Sequence, residues 1–137
     1  MSDVNDWNAK VIEEFRANDG KLSGQFAGLP LLLLHTTGAR SGKERVNPMT
    51  FLKDEGHTYV FASKAGADSH PDWYYNLVAN PRVRVEIGSL TFEATAAPVT
   101  GSERDRIYSI QAEGFPNFKE YQEKTLRVIP VVQLVAD

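Results

Sequence analysis

The sequence predicts an α+β protein, mainly β, built as a small and mostly antiparallel barrel. Three observations carry this. Six short stretches read as strands; tight turns join several of them, such as Asp54-Glu55-Gly56 and Gly88-Ser89; and an apolar run from Val128 to Val135 closes the chain as a strand that returns to the sheet. At 137 residues the chain suits a single barrel domain over 21–137, with residues 1–20 as an N-terminal helix that is part of that domain or appended to it.

Asn5 to Asn18 has the helical pattern, with Trp7, Val11 and Phe15 four apart and Ile12 beside them. Asp3, Asn5 and Asp6 are candidate caps at its start, and Gly20 at its end. Lys21 to Pro30 reads as a linker. Leu31 to His35 is a continuous apolar run and so a fully buried strand. Arg45 to Lys53 is a second strand, in which Pro48 calls for an edge or a bulge because proline lacks the ladder donor. His57 to Ala62 is the third. Ser69 with Asp72 marks a helix start, Trp73, Tyr74, Leu77 and Val78 give that helix its apolar side, and Asn80-Pro81 stops it. Arg82 to Ile87 alternates strictly, which turns Val83, Val85 and Ile87 inward; Phe92, Ala94 and Ala96 continue the alternation on the returning strand. Thr100 and Glu103 have capping-box spacing for a helix to about Ala112. Phe115, Phe118 and Tyr121 then recur every three residues, near one helical face, as core residues usually do.

Composition narrows the function. The absence of cysteine excludes disulfides, thiolate metal sites and a cysteine nucleophile. His35, His57 and His70 lack any metal-ligand spacing. The longest apolar run falls far short of the roughly 20 residues needed to span a bilayer, and the acidic start is unlike a signal peptide; a cytoplasmic protein is expected. The net charge of −3 lies entirely in residues 1–20, and the remainder balances. Nucleic-acid binding wants a basic excess, so no nucleic acid is expected.

Against that neutral background the stretch His35–Phe51 stands out. Gly38 and Gly42 permit positive φ and hence converging N–H groups; Thr36, Thr37 and Ser41 add hydroxyls; Arg40, Lys43 and Arg45 add charge against Glu44 alone. The composition suits a small anion held by forked guanidinium contacts, and equally an ordinary solvated hairpin turn. The P-loop spacing is missing. A second loop with hydroxyl, base and glycine, Ser63-Lys64-Ala65-Gly66, follows the third strand.

Three blocks, TTGARSGKERVNP, FASKAGADSHPDWYYNLVANPRVRVEIG and FPNFKEYQEKTLRVIPVV, together resemble the deazaflavin (coenzyme F420)-dependent nitroreductase family in order and spacing, from about Gly24 to Val135. The resemblance implies a split β-barrel of the flavin-reductase-like, FMN-binding type with the deazaflavin in a groove across it. It implies that Arg40, Ser41, Gly42, Lys43 and Arg45 take the phosphate and the start of the oligoglutamate tail. Asn47, Pro48 and Met49 would border the ring; Ala62, Ser63 and Lys64 would approach it, and Trp73 and Asn76 would lie near the same groove. A cofactor that brings its own hydride explains the lack of an obvious catalytic dyad. Ser63 is the expected donor near the reacting carbon or the acceptor. The expected substrate pocket is Thr50, Phe115, Phe118 and Tyr121, with Tyr121 as a tentative catalytic group.

Family members that activate nitroimidazoles carry tyrosines where this chain has Thr50, Phe115 and Phe118, so the pocket suits a flat quinone better than a nitro group. The expected activity is hydride transfer from reduced F420 to a quinone-like or nitroaromatic acceptor, quinone preferred. The alternatives are a non-catalytic carrier of F420 or another anionic aromatic ligand, and an FMN-dependent oxidoreductase. Weak attachment to a membrane surface through the N-terminal helix is a further alternative, although its acidic polar face argues against anionic lipid.

Overall fold

In a computed structural model, residues 3–21 and 30–136 are described, with side chains from residue 8 onward in the first segment. The expected part of Trp7 in the apolar face of the first helix, and most of the linker, lie outside the described residues. Helix α1 (Asp3–Ala17) precedes strands β1 (Leu31–Thr37), β2 (Glu44–Asp54) and β3 (His57–Phe61). A single 3₁₀ turn (Lys64–Gly66) leads to α2 (Asp72–Ala79), β4 (Arg82–Ile87), β5 (Leu90–Val99), α3 (Gly101–Gly114), α4 (Asn117–Glu123) and β6 (Val131–Ala136). The strands close into a barrel in the order β1-β2-β3-β6-β5-β4, every neighbour antiparallel.

The alternation read from the sequence sets the inside. Leu32 and Leu34, Val83 and Val85, Ala94 and Ala96, Val132 and Leu134 are buried in one core, which Ile87 and Phe92 partly complete. Helix α2 adds Trp73 and Leu77 to that core. The opposite face of β3 and β6 presents Tyr59, Phe61 and Val131 to a second core made with Ile107 and Tyr108 of α3 and Phe118 of α4. On a third side α1 buries Val11 and Phe15. Its chain reverses through Asp19 and Gly20, both with positive φ, and the Gly20 N–H reaches Phe15 O at 2.7 Å. A side chain at Gly20 would meet Gly88 Cα at 2.7 Å, so glycine is what lets the helix end abut the β4–β5 turn.

At Pro48 the edge reading holds over the bulge, and three other local expectations fail. Pro48 makes no bulge, since β1 and β2 stay in unbroken register from Leu31↔Thr50 to Thr37↔Glu44. The Phe51 N–H bonds Pro30 O, so by antiparallel alternation Pro48 is a non-hydrogen-bonded position whose nitrogen faces away from β1. On that side no strand pairs with residues 44–50 among the described residues, and the edge reading holds. The start signal at Ser69 is premature: α2 begins at Asp72 after an extended Pro71. Thr100 is the N-cap of α3 as expected but makes no side-chain cap bond, and the capping box is not closed: the Glu103 carboxylate is engaged one turn along by Arg106 at 2.7 Å. Finally β6 starts at Val131, not Val128. The preceding segment is held instead by polar contacts: Gln122 bonds Arg127 O and Ile129 N, and Arg104 bonds Ile129 O through Nε (3.0 Å) and Nη2 (2.9 Å).

Candidate functional site

A cleft of about 1090 Å³ opens between α1, the β1–β2 loop, the first half of β2 and the start of α2. Among the residues expected to bind a ligand, it gathers Arg40, Ser41, Arg45, Asn47, Trp73 and Asn76; Glu44 is its acid on β2, and Asn8, Ala9 and Ile12 of α1 form a wall the sequence did not suggest. Arg40, Lys43 and Arg45 are exposed and make no ion pair with any group among the described residues, so their charge faces water or a ligand.

The loop is shaped by neutral groups. Asn76 of α2 is buried; its Oδ1 accepts the Ala39 N–H at 3.0 Å, and its Nδ2 donates to Thr36 Oγ1 at 3.3 Å. Gly38 N–H bonds Lys43 O, Gly42 N–H bonds Gly38 O, and Ser41 Oγ accepts the Lys43 N–H. These four amides are satisfied within the protein, so the expected set of converging donors is reduced to the Arg40 and Ser41 N–H groups, which have no hydrogen-bond partner among the described residues. Only Gly42 has a positive φ (70°). Gly38 is needed for space, because a Cβ there would lie 2.6 Å from Ser41 Oγ. Asn76 accordingly positions the loop.

The second loop lies outside this cleft. Lys64, Ala65 and Gly66 run at φ 46°, 53° and 81°; two non-glycine residues in the left-handed region cost about 1–2 kcal/mol each and must be held by their surroundings. Gly66 sits under α4, where a Cβ would meet the Tyr121 backbone at 2.8 Å. Lys124 Nζ reaches Ala65 O at 3.3 Å, and Lys64 Nζ reaches Ser69 Oγ at 3.1 Å. Ser63 Oγ, half-exposed, has no hydrogen-bond partner among the described residues. Ala62 is a correction: its side chain is fully buried, its N–H bonds Pro130 O and its carbonyl accepts from Arg127, so it anchors the loop and offers a ligand nothing.

Pro48, Met49 and Thr50 continue along β2, half-buried, with Met49 against the barrel core. The aromatic stripe divides. Phe118 is a core residue, packed edge-on against Phe61 and Tyr108, and is no pocket wall; Phe115 and Tyr121 flank it, half-buried. The Tyr121 hydroxyl accepts from Asn117 Nδ2 at 2.8 Å.

Two charged groups near the site depart from ordinary behaviour. The Arg16 guanidinium on α1 holds the Glu86 carboxyl below its usual range, helped by His35 Nε2 at 2.5 Å. Burial, then the neighbouring Arg127, keeps His70 below the usual histidine range. Arg104 and Arg127 are residues that sequence reasoning missed. Apart from Asp105 beside Arg104, the partners of their side chains lie 18 to 65 positions away, and no local spacing announces them.

A closed six-stranded antiparallel barrel with an arginine-edged cleft against its first two strands defines a split-barrel protein of the FMN-binding-like fold. Residues 7–136 match the family of F420H(2)-dependent quinone reductases, and the chain belongs to it. It is therefore an oxidoreductase dependent on reduced coenzyme F420. An F420H(2)-dependent quinone reductase of Mycobacterium tuberculosis is 39% identical over 124 residues, covering 88% of this chain and 83% of that protein. The solved structure of an F420-H2 dependent reductase, FDR-A, is 40% identical with a TM-score of 0.70, covering 77% of this chain and 93% of its own. A protein solved as a domain-swapped dimer is 36% identical with a TM-score of 0.72, covering 96% and 98%.

Proposed function

We propose that the chain moves a hydride from reduced F420 to a quinone, with the anionic end of the cofactor in the cleft beside Arg40, Lys43 and Arg45. The observation that carries this is a set of three exposed cations, unpaired among the described residues: Arg40 and Arg45 line the cleft, and Lys43 lies between them on the β1–β2 connection. Such charges fit a phosphodiester and carboxylates, to which arginine offers a two-pronged donor. Bound there, the cofactor supplies the hydride. Asn47, Pro48 and Met49 border its ring along the open edge of β2, Trp73 lies at the base of the cleft, and Ser63 and Lys64 approach from the second loop.

Quinone is the preferred acceptor because Thr50 and Phe115 present few hydrogen-bond donors, while Phe115 and Tyr121 offer rings on which a flat acceptor stacks. Tyr121 belongs to the acceptor side of the site. Val11 and Phe15 are turned into the protein, which supports α1 as a wall of the domain over α1 as a lipid anchor, and supports a cytoplasmic enzyme. No helix among the described residues is long and apolar enough to cross a membrane.

Titration with F420 and, separately, FMN, followed by oxidation of reduced F420 in the presence of menadione, tests the reading. Selective F420 binding with quinone-dependent oxidation is expected. Binding without turnover over several quinones and nitroaromatics would identify a carrier, and preference for FMN would overturn the cofactor's place. Light scattering on the same sample reads whether this chain, like its domain-swapped relative, is a dimer.

A further inference from the structure

Arg127 lies in the irregular segment between α4 and β6, and all its side-chain nitrogens are engaged. Nε donates to Ala67 O at 2.7 Å, Nη2 to Ser63 O at 2.8 Å, and Nη1 to Ala62 O at 3.1 Å and His70 Nδ1 at 2.9 Å. These four acceptors are one stretch of chain, 57 to 65 positions earlier, that wraps the guanidinium. Arg127 has no carboxylate partner among the described residues, so it is held by carbonyl dipoles and one imidazole nitrogen. The segment around it braces the same stretch, since Thr125 Oγ1 bonds Asp68 Oδ1 at 2.9 Å and Lys124 bonds Ala65 O.

The stretch needs bracing, because Lys64, Ala65 and Gly66 hold three consecutive positive φ angles that their own side chains do not favour. A planar fork with fixed donor directions specifies the orientation of several carbonyls at once; a lysine ammonium on a flexible stem does not. Fixing the carbonyls of Ala62 and Ser63 fixes the peptide planes on either side of the Ser63 Cα, and thereby where its unpartnered hydroxyl points.

We propose that Arg127 is a positioning residue for hydride transfer, setting the Ala62–Lys64 loop from behind so that Ser63 and Lys64 face the reacting ring. This rests on the reading that the loop approaches the cofactor. Arg127 itself touches neither cofactor nor acceptor; it acts through backbone geometry, and its loss shows in kcat before it shows in binding. Arg127 also requires His70 to present a bare Nδ1, which makes the imidazole neutral with its proton on Nε2.

The test compares wild type, Arg127→Lys and Arg127→Ala for F420 affinity, kcat and KM with menadione, with and without added methylguanidinium. Both variants are expected to lose about 10- to 100-fold in kcat, the scale of an ångström-sized misplacement of reacting groups. F420 affinity, carried by the Arg40 loop, should change by less than about threefold, and methylguanidinium should restore part of the kcat of Arg127→Ala where methylammonium does not. Wild-type kcat in both variants, or a loss that methylguanidinium leaves untouched in a folded Arg127→Ala, overturns the proposal. If Arg127→Ala does not fold, Arg127→Lys and the ¹⁵N spectrum of His70 in wild type decide: a protonated Nδ1 overturns it. Wild type that fails to oxidise reduced F420 defeats the cofactor reading instead, an outcome separable from all of these.

Discussion

The molecule uses its arginines in two opposite ways, and the two sides of the barrel can be compared on that basis. At the cleft, Arg40 and Arg45 are exposed and ion-paired to nothing among the described residues, and a neutral side chain, Asn76, shapes the loop that carries them. At the α3–α4 side, Arg104 is buried and Arg127 half-buried, and their donors are consumed by main-chain carbonyls together with Asp105 and Gln122 for Arg104 and His70 for Arg127. Arg104 also lies 4.5 Å over the Tyr108 ring, and that tyrosine, its hydroxyl bonded to Phe118 O at 2.6 Å, is pushed by burial up to about 12. The difference teaches that a cation is available to a ligand only where something uncharged does the local structural work.

The largest expected effect breaks the structural side. Arg104→Ala strands the Ile129 carbonyl and Gln122 in a buried setting and should cost about 3 kcal/mol of stability, read by urea unfolding, with little change in F420 affinity among molecules that remain folded. Arg40→Ala should do the reverse, weakening F420 binding by about 2 kcal/mol with stability unchanged to within about 0.5 kcal/mol. That loss should shrink as salt is raised, since the contact is exposed. Lys64→Ala, on the loop outside the cleft, should change affinity by less than about threefold and lower kcat instead; unchanged affinity in Arg40→Ala would remove the anion site. Asn76→Ala should join the two behaviours, costing about 1–2 kcal/mol of stability through the unsatisfied Ala39 amide and loosening F420 binding with it.

The smallest effect is an acid limb. Glu86 has a folded-state pKa depressed below the ordinary 4.5, first by Arg16. Its contribution is therefore full above about pH 4.5 and lost as pH falls through the depressed value. His70, depressed below 6.5, adds an earlier decline, because the unfolded chain takes up its proton first as pH drops below 6.5. Glu86→Gln should cost about 1 kcal/mol at neutral pH and flatten the lower limb of a stability-against-pH curve while leaving the upper one.

The barrel was legible because its information is local. Val83, Val85 and Ile87 announce their inward face through period two, and Leu31–Leu34 announces a strand buried on both sides, as Leu32, Leu33 and Leu34 are. The basic loop was legible as chemistry but not as geometry: whether Gly38 served a positive φ or the close approach of Ser41 depended on a contact across the turn. The capping signal at Thr100 placed the start of α3 but not its bonds, because Glu103 had a better partner in Arg106, itself also bonded to Asp54 at 2.9 Å from another element. Three-residue aromatic spacing placed Phe115, Phe118 and Tyr121 near one face but could not rank them, since the depth of Phe118 is set by Phe61 and Tyr108. Arg104 and Arg127 sit in polar sequence with no local sign of their role; only tertiary partners bury the one and half-bury the other.

Among the described residues no strand pairs with one side of β2 over residues 44–50, which bears on life in a crowded solution. A strand edge left open for a ligand is also open to a strand of another chain, the route by which β-proteins aggregate. At Pro48 the outward nitrogen carries no hydrogen, so an incoming strand would find a gap in the middle of residues 44–50, with Glu44 and Arg45 charged at one end. The same proline that tolerates the open edge thus guards it, and Pro48→Ala should leave the barrel intact while making the protein more prone to self-association when the cleft is empty.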